Sequence, residues 1–270
     1  MSFFKINARP GKVTTILLSA SLFVLSIVAY AWTAHVRHKE NPQDKVVPTF
    51  EEMGEGFYRT AFEEDRKGDL RLYIDTLASG KRFLISVALM SIAVLIGLHM
   101  GLLPYFEALL LRFVTFFDKI PALALLPILF IIFGLGEVSK IALIVIGVFP
   151  TIILDTYLRA KAVPREQITK GLTLGASDFE VAYNIVLPQI LPGVLDTIRL
   201  NFKAIILFLI AGESLSASVG LGYRIFVVRR YIAMDIIIPY VIWMSVLAFL
   251  ADFAVRRFIR WRYHWQYEEA

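Results

Sequence analysis

Three serines, Ser214, Ser216 and Ser218, follow Glu213 at alternate positions, and with His35, His38, His99 and His264 they are the side chains through which acyl transfer or metal chemistry would run. Neither chemistry is supported by the spacing. No histidine or lysine stands near the serines in sequence to activate a hydroxyl. The histidines fall at no ligand spacing such as H-E-x-x-H, and the absence of cysteine removes disulfides, thiolate zinc and iron–sulfur clusters. Gly134-Leu135-Gly136 begins like a dinucleotide loop, but Ser139 stands where its third glycine belongs and no strand pattern precedes it. No G-x-x-x-x-G-K-[ST] run occurs, so ATP hydrolysis is not expected of this chain, nor any catalytic residue, metal or cofactor of its own.

The spacing that does carry information runs Thr169-Lys170-Gly171-Leu172-Thr173-Leu174-Gly175-Ala176-Ser177-Asp178-Phe179-Glu180 and on through Ile185-Val186-Leu187-Pro188. It reads as helix, turn, helix. Gly175 is expected to end a helix begun near Pro164, because glycine accepts positive φ without penalty. Ser177 and Glu180 form a Ser-x-x-Glu capping box for the next helix, which Pro188 is expected to stop. A short helix pair of this kind is a lever that another protein can push.

The elements that hold this lever are membrane spans. Of the 270 residues 57% are hydrophobic and 19% charged, against roughly 45–50% and 25% in soluble domains. About 20 apolar residues cross a bilayer as a helix. Candidate spans cover 13–32, 83–106, 120–136, 141–154, a weaker one at roughly 193–212 that carries Asp196, Arg199 and Lys203 near its start, and 236–251. The reading is an all-α membrane protein of about six transmembrane helices. The first span is read as a retained anchor, being longer than a signal peptide's apolar run, with Trp32 and His35 where small cleavage-site residues would stand. The net charge of +5 lies largely beside apolar segments, which fits lipid headgroups rather than nucleic acid. Lys5, Arg9 and Lys12 at one end, and Arg256, Arg257, Arg260 and Arg262 at the other, place both termini in the cytoplasm; Arg224, Arg229 and Arg230 run against that rule.

Four regions follow: 1–34, an N-terminus with the first span; 35–81, an external charged segment; 82–257, a core holding the loop 164–188; and 258–270, a cytoplasmic tail. In the external segment, which includes Arg66 and Lys67, Phe50, Met53, Phe57 and Phe62 recur at helical spacing and predict an amphipathic helix. Asp118, Lys119, Asp155 and Glu213 are the charges at span boundaries. Glu213 is favoured among them, because the Ser- and Gly-rich stretch after it could pack into a gate; Glu213, Ser214 and Ser216 are the expected pathway residues.

The interval of Gly175, nine residues, Ile185, one residue and Leu187-Pro188 resembles the cytoplasmic signature loop of bacterial binding-protein-dependent ABC importer permeases, written Glu-Ala-Ala, three residues, Gly, nine residues, Ile-x-Leu-Pro. Ile120-Pro121-Ala122-Leu123-Ala124-Leu125-Leu126-Pro127, Phe133-Gly134-Leu135-Gly136-Glu137-Val138-Ser139-Lys140-Ile141, Ala211-Gly212-Glu213-Ser214 and Gly220-Leu221-Gly222-Tyr223 are similar to the nitrate/sulfonate/taurine class of that family. The resemblance covers roughly residues 83–257. It implies a type I ABC importer permease-like fold in the bacterial inner membrane, without ATPase motifs of its own. It also implies a second copy of the chain, two cytoplasmic ATPase subunits that bind ATP and Mg and dock on the loop, and a periplasmic binding protein that delivers a small anion.

Thr169, Lys170 and Gly171 occupy the Glu-Ala-Ala positions, so all three residue types depart from the pattern. Glu166, one helical turn before Thr169, is the candidate to replace the missing glutamate. The loop set is therefore Glu166, Thr169, Lys170, Gly171, Gly175, Ala176, Ser177, Asp178, Phe179, Glu180, Ile185, Leu187 and Pro188. The departure also motivates an alternative, a permease-fold scaffold or regulatory subunit with altered ATPase coupling.

Overall fold

The computed structural model describes residues 11–42, 44–65 and 68–267; Lys5 and Arg9 of the basic N-terminus and Arg66 and Lys67 of the external segment lie outside them. The described residues form helices α1 (Lys12–Glu40), α2 (Phe50–Ala61), α3 (Arg71–Leu102), α4 (Pro104–Asp118), α5 (Leu126–Phe133), α6 (Glu137–Ala162), α7 (Arg165–Thr173), the single turn α8 (Asp178–Glu180), α9 (Leu187–Leu200), α10 (Phe202–Ser216), α11 (Leu221–Val228) and α12 (Met234–Arg262). Among the described residues five stretches are long and apolar enough to cross a membrane, and two bent pairs raise the number to seven at most.

Among the described residues, lateral contacts arrange these helices as six traverses of the bundle. Helices α3 and α6 run side by side in the same direction, with Arg82 bonded to Glu137 near their starts and Gly101 against Ala160 near their ends. Helices α9 and α10 together run back along α6, since Gly193 meets Arg159, Phe208 meets Gly147 and Gly212 meets Lys140. The 19 residue steps from Lys140 to Arg159 rise about 29 Å at 1.5 Å per residue, close to one hydrocarbon thickness. The weak span expected at 193–212 is thus one traverse that passes through the α9–α10 junction at Asn201.

Two expected spans have different bounds. The one placed at 83–106 belongs to α3, which ends at Leu102 because Pro104 opens a new helix and restricts the residue before it. The one placed at 120–136 is only part of a crossing: α4 and the segment Ala122–Phe133 are bent by 86° at a break that contains Pro121. Their contacts still advance along α6, from Glu107 opposite Tyr157, through Asp118 opposite Thr151, to Leu126 and Leu129 clustered with Leu143.

The amphipathic helix expected outside is α2, opened by a capping box between Thr49 and Glu52. Capping holds the Glu52 carboxyl below its ordinary value, chiefly through the Thr49 backbone N–H. Its buried face is Met53, Gly56 and Thr60, whereas Phe50 and Phe62 are exposed. Gly56 sets that face by close approach to the Asp235 backbone on α12, which the Arg59–Asp235 pair at 3.0 Å reinforces. Helix α1 stands apart: residues 12–29 are exposed, and only Tyr30, Ala31, Ala34 and His38 form a covered stripe.

Candidate functional site

The loop 164–188 lies where α6 ends, about one hydrocarbon thickness from the Glu137 end of the bundle. Pro164 precedes α7, and the helix closes in a Schellman arrangement: the Ala176 N–H bonds to the Gly171 carbonyl at 3.1 Å and the Gly175 N–H to that of Leu172 at 3.0 Å. Gly175 has φ +92°. Ser177 accepts the Glu180 N–H at 3.2 Å while the Glu180 carboxylate accepts the Ser177 N–H at 2.8 Å, so the expected capping box is present.

Pro188 does not stop the second helix. Residues Val181–Val186 adopt π-helical spacing, with the Leu187 N–H reaching back five residues to Ala182, and α9 continues through Pro188 in its first turn. The wider turn accommodates a residue that lacks an N–H and would crowd the carbonyl four residues back.

The predicted loop residues divide into two groups. Gly171, Ala176, Ile185 and Leu187 face the protein: Gly171 is buried, and a Cβ there would lie 2.7 Å from the Ile185 Cδ1. Glu166, Thr169, Lys170, Gly175, Ser177, Asp178, Phe179, Glu180 and Pro188 are exposed. Glu166, Thr169 and Lys170 line a groove of about 520 Å³ with Arg165, Thr173 and Leu174. Leu174 and Phe179 are 79% and 67% exposed on either side of the turn, an apolar pair that a soluble surface would not favour. Phe179 stacks on Tyr183, whose ring meets His99 at the end of α3, tying the loop to the bundle.

At the opposite end, α3 presents Asp75, Ser79 and Arg82 at helical spacing into the protein. The Glu213 carboxylate accepts bonds from Ser79 at 2.8 Å, from Arg82 at 2.6 Å and from the Gly222 N–H at 2.8 Å. Ser79 accepts the Leu221 N–H at 2.8 Å, and Asp75 accepts the Gly220 N–H at 2.9 Å and Arg224 Nε at 2.8 Å. The 217–222 turn is thereby fastened to α3. Gly220 permits it, with φ +138° and a missing Cβ that would lie 2.6 Å from the Glu213 carboxylate.

Glu213, expected to line a pathway, is instead fully enclosed within the protomer, because every oxygen it offers is engaged by α3 and the turn. Ser214 and Ser216 are half-buried and donate to carbonyls of their own helix, at 2.8 and 3.0 Å. Arg224, which runs against the positive-inside rule, is paired with the buried Asp75 at 2.8 Å. Sequence reasoning assigns no role to Asp75, Ser79 and Arg82, nor to Tyr240 on α12, whose hydroxyl donates to Asp75 at 3.3 Å, although polar residues at i, i+4 and i+7 on an apolar helix are the available signal for the first three.

Residues 90–262 match the family described as binding-protein-dependent transport system inner membrane component. The chain is 29% identical over 189 residues to the taurine transport system permease protein of Escherichia coli (strain K12), covering 70% of this chain and 69% of that protein. A Bacillus subtilis (strain 168) protein named for aliphatic sulfonates transport is 28% identical over 72% of this chain and 70% of its own length. A Methanocaldococcus jannaschii protein named as an ABC transporter permease is 31% identical over 70% and 73% respectively. In structure, the chain is similar to one from the MetNI methionine ABC transporter in inward facing conformations, with TM-score 0.60 and 20% identity over 69% of this chain and 93% of that one.

Proposed function

The chain belongs to the family of binding-protein-dependent transport system inner membrane components and is an ABC importer permease subunit; from that premise we propose that two copies form a pathway for a small organic or inorganic anion, supplied by a periplasmic binding protein and driven by separate ATPase subunits. The taurine and sulfonate names of its relatives support the substrate class. Both termini and the loop 164–188 are assigned to the cytoplasm on the positive-inside argument.

One observation carries the coupling role: a rigidly capped helix–turn–helix exposing Leu174 and Phe179 beside a polar groove, at one end of the bundle. Replacing Gly175 by valine should strain the turn by on the order of 1–3 kcal/mol and abolish substrate-stimulated ATP hydrolysis in assembled complexes. Gly175→Asn, whose side chain tolerates left-handed backbone, should retain most of it. Equal activity in the two variants would refute the coupling role of the turn.

Glu166 and Thr169 line the same groove, so a carboxylate at either position meets the same partner surface. Glu166→Ala should weaken ATPase association by about 3–5 kcal/mol if the contact is buried on docking, against less than about 1 kcal/mol for an exposed pair. Thr169→Glu should preserve or strengthen association. Pull-down of the ATPase subunit with each variant reads the difference directly, and unchanged recovery with Glu166→Ala would leave the grip to Leu174 and Phe179.

A further inference from the structure

In the ion cluster around Arg82, one member is exposed. The Arg82 and Lys140 side chains are 5% and 4% exposed, whereas Glu137, which joins them, is 58% exposed. Its carboxylate takes bonds from Arg82 Nε and Nη2 at 2.6 and 2.8 Å and from Lys140 Nζ at 2.9 Å. Two enclosed cations require an anion at this point. The one present sits at the surface, on the first turn of α6, beside residues 131–138, all of which are exposed.

The charge balance is specific. Without Glu137, the cluster holds Arg82, Lys140 and Arg224 against Asp75 and Glu213, one positive charge in excess. Moving Glu137 aside does not release Arg82, whose Nη1 remains bonded to Glu213 at 2.6 Å and to the Val219 carbonyl at 3.0 Å. What is exposed is a guanidinium edge with two donors and an ammonium with a third. That set matches the oxygens of a sulfonate or nitrate group, since a guanidinium edge binds planar pairs of oxygens in parallel and an ammonium adds a point charge.

We propose that Arg82 and Lys140 form an oxyanion site of the transport route, and that Glu137 is a resident internal anion which a monovalent oxyanion displaces. The inference rests on the importer reading and adds to it an address and a charge for the solute. Lys140 lies against Gly212, whose missing Cβ would be 3.5 Å from it, so the site adjoins the helix that continues into the 217–222 turn. A divalent anion would overfill the cluster by one charge.

The test uses the purified chain in lipid nanodiscs, with its ATPase subunits where they copurify. Thermal midpoints are followed against methanesulfonate, nitrate and sulfate, because a ligand bound to the folded state raises the midpoint with concentration. The double variant Glu137→Gln/Lys140→Gln, which keeps the remaining cluster balanced, supplies the baseline for general salt effects. Glu137→Gln alone should reach half its response to methanesulfonate or nitrate at a concentration at least tenfold below that of the parent chain. Equal responses of parent and Glu137→Gln, equal baseline-corrected effects of sulfate and methanesulfonate, or a destabilised Glu137→Gln that no anion restores would each overturn the site. ATPase recovery is scored on the same samples: its absence counts against the importer reading, whereas its presence alongside a failed titration removes only the anion site.

Discussion

Substituting Glu213 by alanine is expected to lower the stability of the protein by about 3–5 kcal/mol, the cost of leaving a buried partner charge without its counterpart. Arg82 would keep Glu137 at one edge, but its Nη1 donor and the Ser79 hydroxyl would lose their carboxylate, as would the Gly222 N–H. Native proteins are stable by only about 5–15 kcal/mol, so such a loss removes a large fraction of the margin. Glu213→Gln keeps the volume and one acceptor oxygen while placing an NH2 near the guanidinium, and should fall between parent and alanine. The readout is the thermal midpoint and the monodisperse yield in detergent. A Glu213→Ala variant as stable as the parent would mean that the cluster contributes nothing to holding the 217–222 turn.

The second large effect is expected where α3 meets α6. A Cβ on Gly97 would lie 2.5 Å from the Ile153 carbonyl oxygen and 2.7 Å from the Thr156 Cβ, and one on Gly101 would lie 2.6 Å from the Ala160 Cβ. Backbone cannot move aside as a side-chain tip can, and small residues let membrane helices approach this closely. Gly97→Leu should therefore cost about 3 kcal/mol or more through overpacking. Gly80, on the same helix, has no neighbouring atom within 4 Å of the place a Cβ would take, and Gly80→Ala should gain roughly 0.5–1 kcal/mol from helix propensity. Opposite signs for two glycines of one helix are the expected result, measured as denaturation midpoints of the two variants side by side. A neutral Gly97→Leu would show that the two helices are free to separate.

What is legible in the sequence is local. The Gly175 turn and the Ser177–Glu180 box depend on backbone groups close together in the chain, so type and spacing suffice. The apolar stretches inside α1, α3, α6 and α12 need only composition and length. The break in the crossing that begins at α4 is harder to see, because 120–136 is apolar enough to pass as a helix by itself and the preceding helix carries Glu107 and Arg112. Pro188 defeats the expectation of a stop because that expectation assumes bonds from i to i−4, and the chain uses a five-residue spacing there. The Asp75, Arg82 and Glu213 cluster is illegible for a different reason: Arg82 and Glu213 are 131 residues apart and Asp75 and Arg224 are 149 apart. Charges that look solvated in sequence become a closed set only after α3, α6 and α10 have packed. The same limit applies to α2, whose covered face is set by Gly56 against Asp235 and by Phe57 against Trp243, while Phe50 and Phe62 stay exposed.

The isolation of α1 has a consequence for cooperativity. Its covered stripe begins only at Tyr30, whose hydroxyl donates to the Pro48 carbonyl at 2.7 Å, and its ties run to the 44–53 segment rather than to α3 or α6. Within one copy of the chain the amides of residues 12–29 are therefore protected by the helix's own backbone bonds, with no share in the packing of that copy's bundle. In hydrogen-exchange terms, α1 and the bundle of the same copy are expected to open as separate units. Loosening the bundle leaves α1 folded, and fraying of α1 leaves the α3–α6 contact intact.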